Sequence, residues 1–138
     1  MEVIQEYGLQ ERCIIQSFNY EALEAVKAID DSIPCGYILT TAAGQYYDLE
    51  AADFFSMNIS FLTERAVASA HLRNKKIMVW TVNTEEYLKE AVRMKVDGII
   101  TDDPVLAREV VYGSQLSLEE FLEEELVLEE IFQDTILE

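Results

Sequence analysis

Basic residues are scarce in this 138-residue chain: 10 lysines and arginines stand against 27 aspartates and glutamates, for a formal net charge of −17. That balance repels nucleic acid and anionic membrane surfaces, so neither is expected as a partner. Histidine is scarcer still, with His71 alone, so no pair of histidines can share acid and base work. Cysteine stops at Cys13 and Cys35. They form no C-x-x-C and no zinc-ligand spacing, and they read as free, buried thiols. No apolar run approaches the roughly 20 residues of a membrane span. The N-terminus lacks the basic start and apolar segment of a secretory signal. Membrane insertion by this chain is not expected; its compartment stays open, with the cytoplasm slightly favoured.

Half of the residues are hydrophobic, enough for a real core in a chain of one domain's size. Their pattern alternates strand and helix. Ile14 to Phe18 is an apolar strand, and Asn19 caps a helix from Tyr20 to about Ile29. Cys35 to Thr40 reads as a second strand, Thr41 to Ala52 as a loop with a short helix, and Asp53 to Asn58 as a third strand. Thr63 caps a helix that Asn74 ends. Ile77 to Val82 is a nearly unbroken run of the kind found in parallel strands covered on both faces. Asn83 and Thr84 can cap the next helix, with Glu86 placed as a capping-box partner. Asp97-Gly98 breaks that helix, Ile99 to Thr101 forms a fifth strand, and Asp103-Pro104 opens the last helix. Met1 to Gln10 reads as the last turns of a helix stopped by Gly8. Five strands alternating with helical connections predict a parallel sheet in an α/β fold. The alternation alone does not separate an open doubly wound sheet from a piece of barrel.

Residues 113–138 differ in kind. They hold nine acidic residues and no basic ones, while residues 1–112 carry 18 acidic and 10 basic. Leu118, Phe121, Leu122, Leu126, Leu128, Phe132 and Ile136 recur at helical spacing, which predicts an acidic amphipathic helix whose stripe must find cover.

The run VWTVN, Val79 to Asn83, followed one helix later by DGIITDDP, Asp97 to Pro104, resembles the end of a glycerophosphodiester phosphodiesterase domain. IIQSFN, Ile14 to Asn19, with EYGLQERC before it, is similar to that family's mid-domain strand. The resemblance spans about residues 3–111. It implies a partial TIM-type (β/α) barrel, since a complete one needs roughly 250 residues, with residues 1–112 as its later part. The family's opening motifs H-R-G, E-x-D, H-D and E-x-K do not occur in the sequence. They carry its metal carboxylates and catalytic histidines, so no catalytic residue and no metal ligand is expected in this chain. A divalent metal, magnesium or calcium, is implied for the parent family only.

What the resemblance leaves is the substrate side. Functional residues of such barrels sit at the C-terminal ends of strands. Trp80 resembles the family tryptophan that packs against the glycerol moiety, Phe18 lies in the matching S-F pair, and Asn58 ends the third strand. These three are the candidate substrate-binding residues, with core packing as the plain alternative for both aromatics. Strand alternation predicts that Met78 and Val82 face the interior with Trp80, while Val79 and Thr81 face helices. His71 is read as structural, Asn83 and Asp103 as caps, Asp102 as a structural hydrogen-bonding residue. The implied parent reaction is hydrolysis of a glycerophosphodiester to an alcohol and glycerol 3-phosphate, with no activity expected of this chain alone. The competing expectation is a non-catalytic interaction module. Either way an incomplete barrel exposes an apolar inner face, so a homodimer or cover by the acidic helix is expected.

Overall fold

The computed structural model describes residues 1–40 and 46–113. The proposed acidic helix therefore lies outside the described residues. Five parallel strands form one sheet in sequence order: β1 (Ile15–Ser17), β2 (Cys35–Leu39), β3 (Phe54–Asn58), β4 (Lys76–Trp80) and β5 (Gly98–Ile99). Around them run α1 (Glu2–Glu6), α2 (Tyr20–Ile29), α3 (Glu64–His71), α4 (Glu85–Arg93) and α5 (Pro104–Tyr112). This is the architecture of a partial (β/α) barrel: each strand pairs with its sequence neighbour, and β1 and β5 each keep one side unpaired among the described residues.

Local chemistry starts the helices where the sequence points. Asn19 accepts a hydrogen bond from the Glu21 amide, Thr63 from Ala66 and Asp103 from Leu106, each satisfying an amide that the helix leaves open. At α4 the cap is Thr84, which accepts from Tyr87, so Asn83 is released from capping and Glu86 has no capping-box partner there. The ends of α3 and α4 are turned by Asn74 and Lys95, at φ 56° and 58°. A lysine there is unusual, and α4 accordingly stops before Asp97-Gly98 rather than at it.

The register sorts each strand by face. Leu39, Phe55, Met57, Ile77 and Val79 point to one side, where they pack with Val67 and Ala70 of α3, Leu88 and Ala91 of α4 and Ala107 of α5. Leu23 of α2 and Cys35 form a neighbouring cluster on that side. Between β2 and β3, the described residues include a 3-10 turn, Tyr46–Asp48. There Tyr47 meets Phe55 edge-on at 5.9 Å, and the Arg73 guanidinium lies over the Tyr47 ring at 5.5 Å. Helices thus cover one face of the sheet.

The opposite face carries Gln16, Gly36, Ile38, Phe54, Ser56, Asn58, Met78, Trp80 and Gly98, adjacent in register. Gly36 is required by close approach: a Cβ there would stand 2.0 Å from the Phe54 ring. Val82 departs from the expected alternation. The ladder ends at Trp80, and Val82 is fully buried among the helix-side residues with Val79. Alternation holds only while the backbone stays extended.

Two carboxylates pin the strand entrances in the same way. Asp53, before β3, accepts from the Cys35 amide at 2.7 Å and from Lys27 of α2 at 2.8 Å, while its own amide donates to the Cys35 carbonyl. Asp97, before β5, accepts from the Ile77 amide at 2.8 Å and pairs with His71 of α3 at 2.8 Å, while its amide donates to the Ile77 carbonyl. In each case one acid joins a strand start to the preceding strand and to a helix behind it.

Candidate functional site

Parallel strands that all run one way bring their C-terminal ends to one rim. Phe18 follows β1, Asn58 ends β3, and Trp80 ends β4. Asn58 and Trp80 are register partners on neighbouring strands, so they stand side by side on the inner face. Phe18 follows the strand at the far edge of the same face and is 60% exposed. All three candidates therefore share a rim, and two of them touch the same patch of it.

The environments differ. Trp80 is half-buried, and its Nε1–H is buried with no hydrogen-bond partner among the described residues. Asn58 uses its Oδ1 to accept from the Ser60 amide at 2.9 Å, capping the 3-10 turn Ile59–Phe61. Its carboxamide is thereby held in place. Ser56, one inner-face position below Asn58, is 1% exposed, and its Oγ also lacks a partner. Nothing in the local sequence marked Ser56, because a serine in a strand is ordinary until its neighbours are known to be apolar.

Beside the rim lies a hydrogen-bonded network. The Asn83 amide nitrogen donates to Asp102 at 2.7 Å, and its carbonyl oxygen accepts from the Thr101 hydroxyl and the Asp102 amide. Val82 donates from its amide to the Ile100 carbonyl. These bonds tie the segment after β4 to the segment after β5 and give Asn83 and Asp102 a joint structural role. His71 sits at the other end of the sheet, on Asp97, away from the rim.

Among the described residues no three or more His, Cys, Asp or Glu side chains are grouped so as to hold a metal ion. They do not fit a divalent-ion site by themselves, so donors for one would have to come from outside them. No described helix is long and apolar enough to cross a membrane.

An incomplete parallel (β/α) barrel with an aromatic and a carboxamide at its C-terminal rim defines a class, and comparison with known proteins narrows it. Residues 1–106 match the Glycerophosphoryl diester phosphodiesterase family. The chain belongs to that family. A glycerophosphodiester phosphodiesterase of Caldanaerobacter subterraneus is 30% identical over 108 residues, covering 75% of this chain and 44% of that protein. One from Bacillus altitudinis is 26% identical over 108 residues, with the same coverage. Among solved structures, an Oleispira antarctica phosphodiesterase in complex with the product sn-glycerol-3-phosphate superposes with a TM-score of 0.71 at 22% identity, over 80% of this chain and 47% of that one. A glycerophosphodiester phosphodiesterase from Parabacteroides distasonis gives 0.72 at 19% identity, over 83% and 49%. The chain spans less than half the length of each of these four relatives.

Proposed function

We propose that this chain is the substrate-side part of a glycerophosphodiester-hydrolysing barrel, and that it does not hydrolyse its substrate alone. The observation that carries this reading is Trp80 at the C-terminal end of β4, on the inner face beside Asn58. There an indole face offers a flat apolar wall to the carbon skeleton of glycerol, and the capped Asn58 carboxamide offers a fixed polar edge for a hydroxyl. Phe18 extends the wall at the edge of the sheet.

Hydrolysis of the diester needs a base to activate the attacking group and an acid to protonate the leaving alcohol. A divalent ion, where one is bound, supplies charge stabilisation to the phosphoryl oxygens. The described residues at the rim contribute binding and orientation. Acid, base and metal donors would come from the strands that complete the barrel.

The test is a chimera in which residues 1–112 replace the matched segment of the Caldanaerobacter relative. The chimera is expected to hydrolyse glycerophosphocholine in the presence of magnesium or calcium. Trp80→Ala should raise its KM about tenfold, the loss of roughly 1.4 kcal/mol of binding. The 138-residue chain alone should show no hydrolysis above background. A folded chimera without activity, or enzyme-like turnover by the chain alone, would overturn the reading.

A further inference from the structure

A groove of about 480 Å³ lies among α4, β5 and α5. Pro104, Ala107, Arg108 and Val111 line it at i, i+3, i+4 and i+7, so one face of α5 borders the groove from end to end. Val92 of α4 and Ile99 of β5 line it as well. Val92 and Val111 stay 42% and 38% exposed, so two valines meet there without cover from the described residues. Arg108 makes no ion pair among the described residues. Asp97, which also lines the groove, is already held by the Ile77 amide and His71. An apolar bed with one unpaired cation fits an apolar element whose margins are acidic.

The chain carries such an element just beyond α5. That helix ends at Tyr112, and Gly113 takes φ 86° and ψ 155°. Glycine alone adopts this conformation readily, so the helix stops and the chain turns out of its path. Residues 114–138 lie outside the described residues, and their sequence carries a helix start. Ser117 and Glu120 have the S-x-x-E spacing of a capping box, and Leu116 and Phe121 that of the hydrophobic staple around it. Leu118, Phe121, Leu122 and Leu126 then share one apolar stripe, with glutamates at 119, 120, 123, 124 and 125 beside it.

We propose that residues 117–126 form a helix that folds back antiparallel along α5, seating this stripe in the groove with its glutamates around Arg108. Four residues, 113–116, separate the two helices, and connections of that length join antiparallel neighbours. Residues 118–126 number nine, as α5 does, so each helix spans roughly 13.5 Å and the stripe matches the groove in length. The tether also selects the occupant. A segment on so short a link has an effective concentration on the order of millimolar, which a second copy at micromolar concentration does not match. None of Phe18, Asn58 and Trp80 lines the groove, so docking leaves the candidate site open and does not depend on the proposed reaction.

The experiment measures amide hydrogen exchange on the full 138-residue chain at several protein concentrations. A synthetic peptide of residues 114–138 is the unprotected reference. Residues 118–126 should exchange about 100-fold more slowly in the chain than in the peptide, at every concentration. Val111→Glu in the groove and Phe121→Glu on the segment should each remove about tenfold of that protection. Arg108→Glu should remove about threefold and Arg108→Lys almost none. Phe18→Glu on the rim and Leu72→Glu, 84% exposed at the end of α3, should leave it unchanged. Circular dichroism reports whether each variant is folded. If Val111→Glu fails to fold, Arg108→Glu, at a half-buried position, decides in its place. Exchange over 118–126 as fast as in the peptide overturns the proposal, as does full protection in the folded groove variant. Protection that rises with concentration alongside a dimeric molar mass overturns it in favour of a second copy. Protection lost in Phe18→Glu and kept in Val111→Glu overturns it in favour of the inner face of the sheet.

Discussion

At Ser56 the hydroxyl occupies a site that is 1% exposed and offers it no hydrogen-bond partner among the described residues. Ser56→Ala removes the group together with its desolvation cost and leaves almost the same volume. The isolated chain should therefore gain about 1 kcal/mol, read as a higher urea midpoint with an unchanged slope. A loss of stability would show that the hydroxyl is bonded after all. Residue-scale features divide by how local their cause is. The caps Asn19, Thr63 and Asp103 are legible because each acts on an amide two or three residues ahead. Asn83 and Thr84 are adjacent residues of equally good capping type, and only the pairing of Asn83 with Asp102 decides between them. Cys35 is fully buried with its thiol pushed up by burial, an effect the nearby Lys27 charge partly offsets. Both cysteines are free, as the sequence suggests, but Cys13 is only partly buried.

Elements are joined at the strand entrances by Asp53 and Asp97. Each carboxylate accepts a backbone N–H from the neighbouring strand, and hydrogen bonds to charged groups contribute about 1.5–3 kcal/mol. Asp53→Ala and Asp97→Ala should each lower stability by roughly that amount in denaturant titrations; an effect within a few tenths would mean the strand amides find other partners. Lys27 adds a pH dependence. Desolvation pulls its pKa down, but the Asp53 hydrogen bond and the Asp53 and Asp31 charges outweigh it, so the folded value lies above the ordinary 10.5. A cation with a raised folded pKa stabilises fully below its unfolded value and loses that contribution as pH rises through the folded one. Lys27→Met should therefore be less stable than the parent at neutral pH, and the gap should narrow above about pH 10.5. A constant gap across that range would mean that the loss is one of packing. These pins are not visible in the sequence. The partners of Asp97 include His71, 26 residues away, and only the folded path of α3 brings them together.

At the scale of the whole molecule, the question is what covers the inner face. With Phe18 and Ile100 exposed at its two sides, the chain without a covering partner should self-associate weakly. Light scattering should show a molar mass that rises with concentration, and Phe18→Glu should flatten that rise. A concentration-independent monomer would mean the face is already covered, and a fixed dimer would mean that a second copy covers it. The family, the strand order and the rim positions of Phe18, Asn58 and Trp80 follow from motifs and alternation that are short-range in the chain.

By itself, the amino-acid sequence determined the βαβ alternation, three of the four caps at α2 to α5, the place of Trp80 at a strand end, and the family, because each rests on residues within a few positions of one another. Tertiary structure alone decided that Val82 turns to the helix side, that Ser56 and the Trp80 Nε1–H are buried without partners among the described residues, and that Asp53 and Asp97 repeat one clamp. The reason is physical: periodicity says which residues share a face, but the neighbours that bury, pair or orphan a side chain come from distant parts of the chain and exist only once the strands lie side by side.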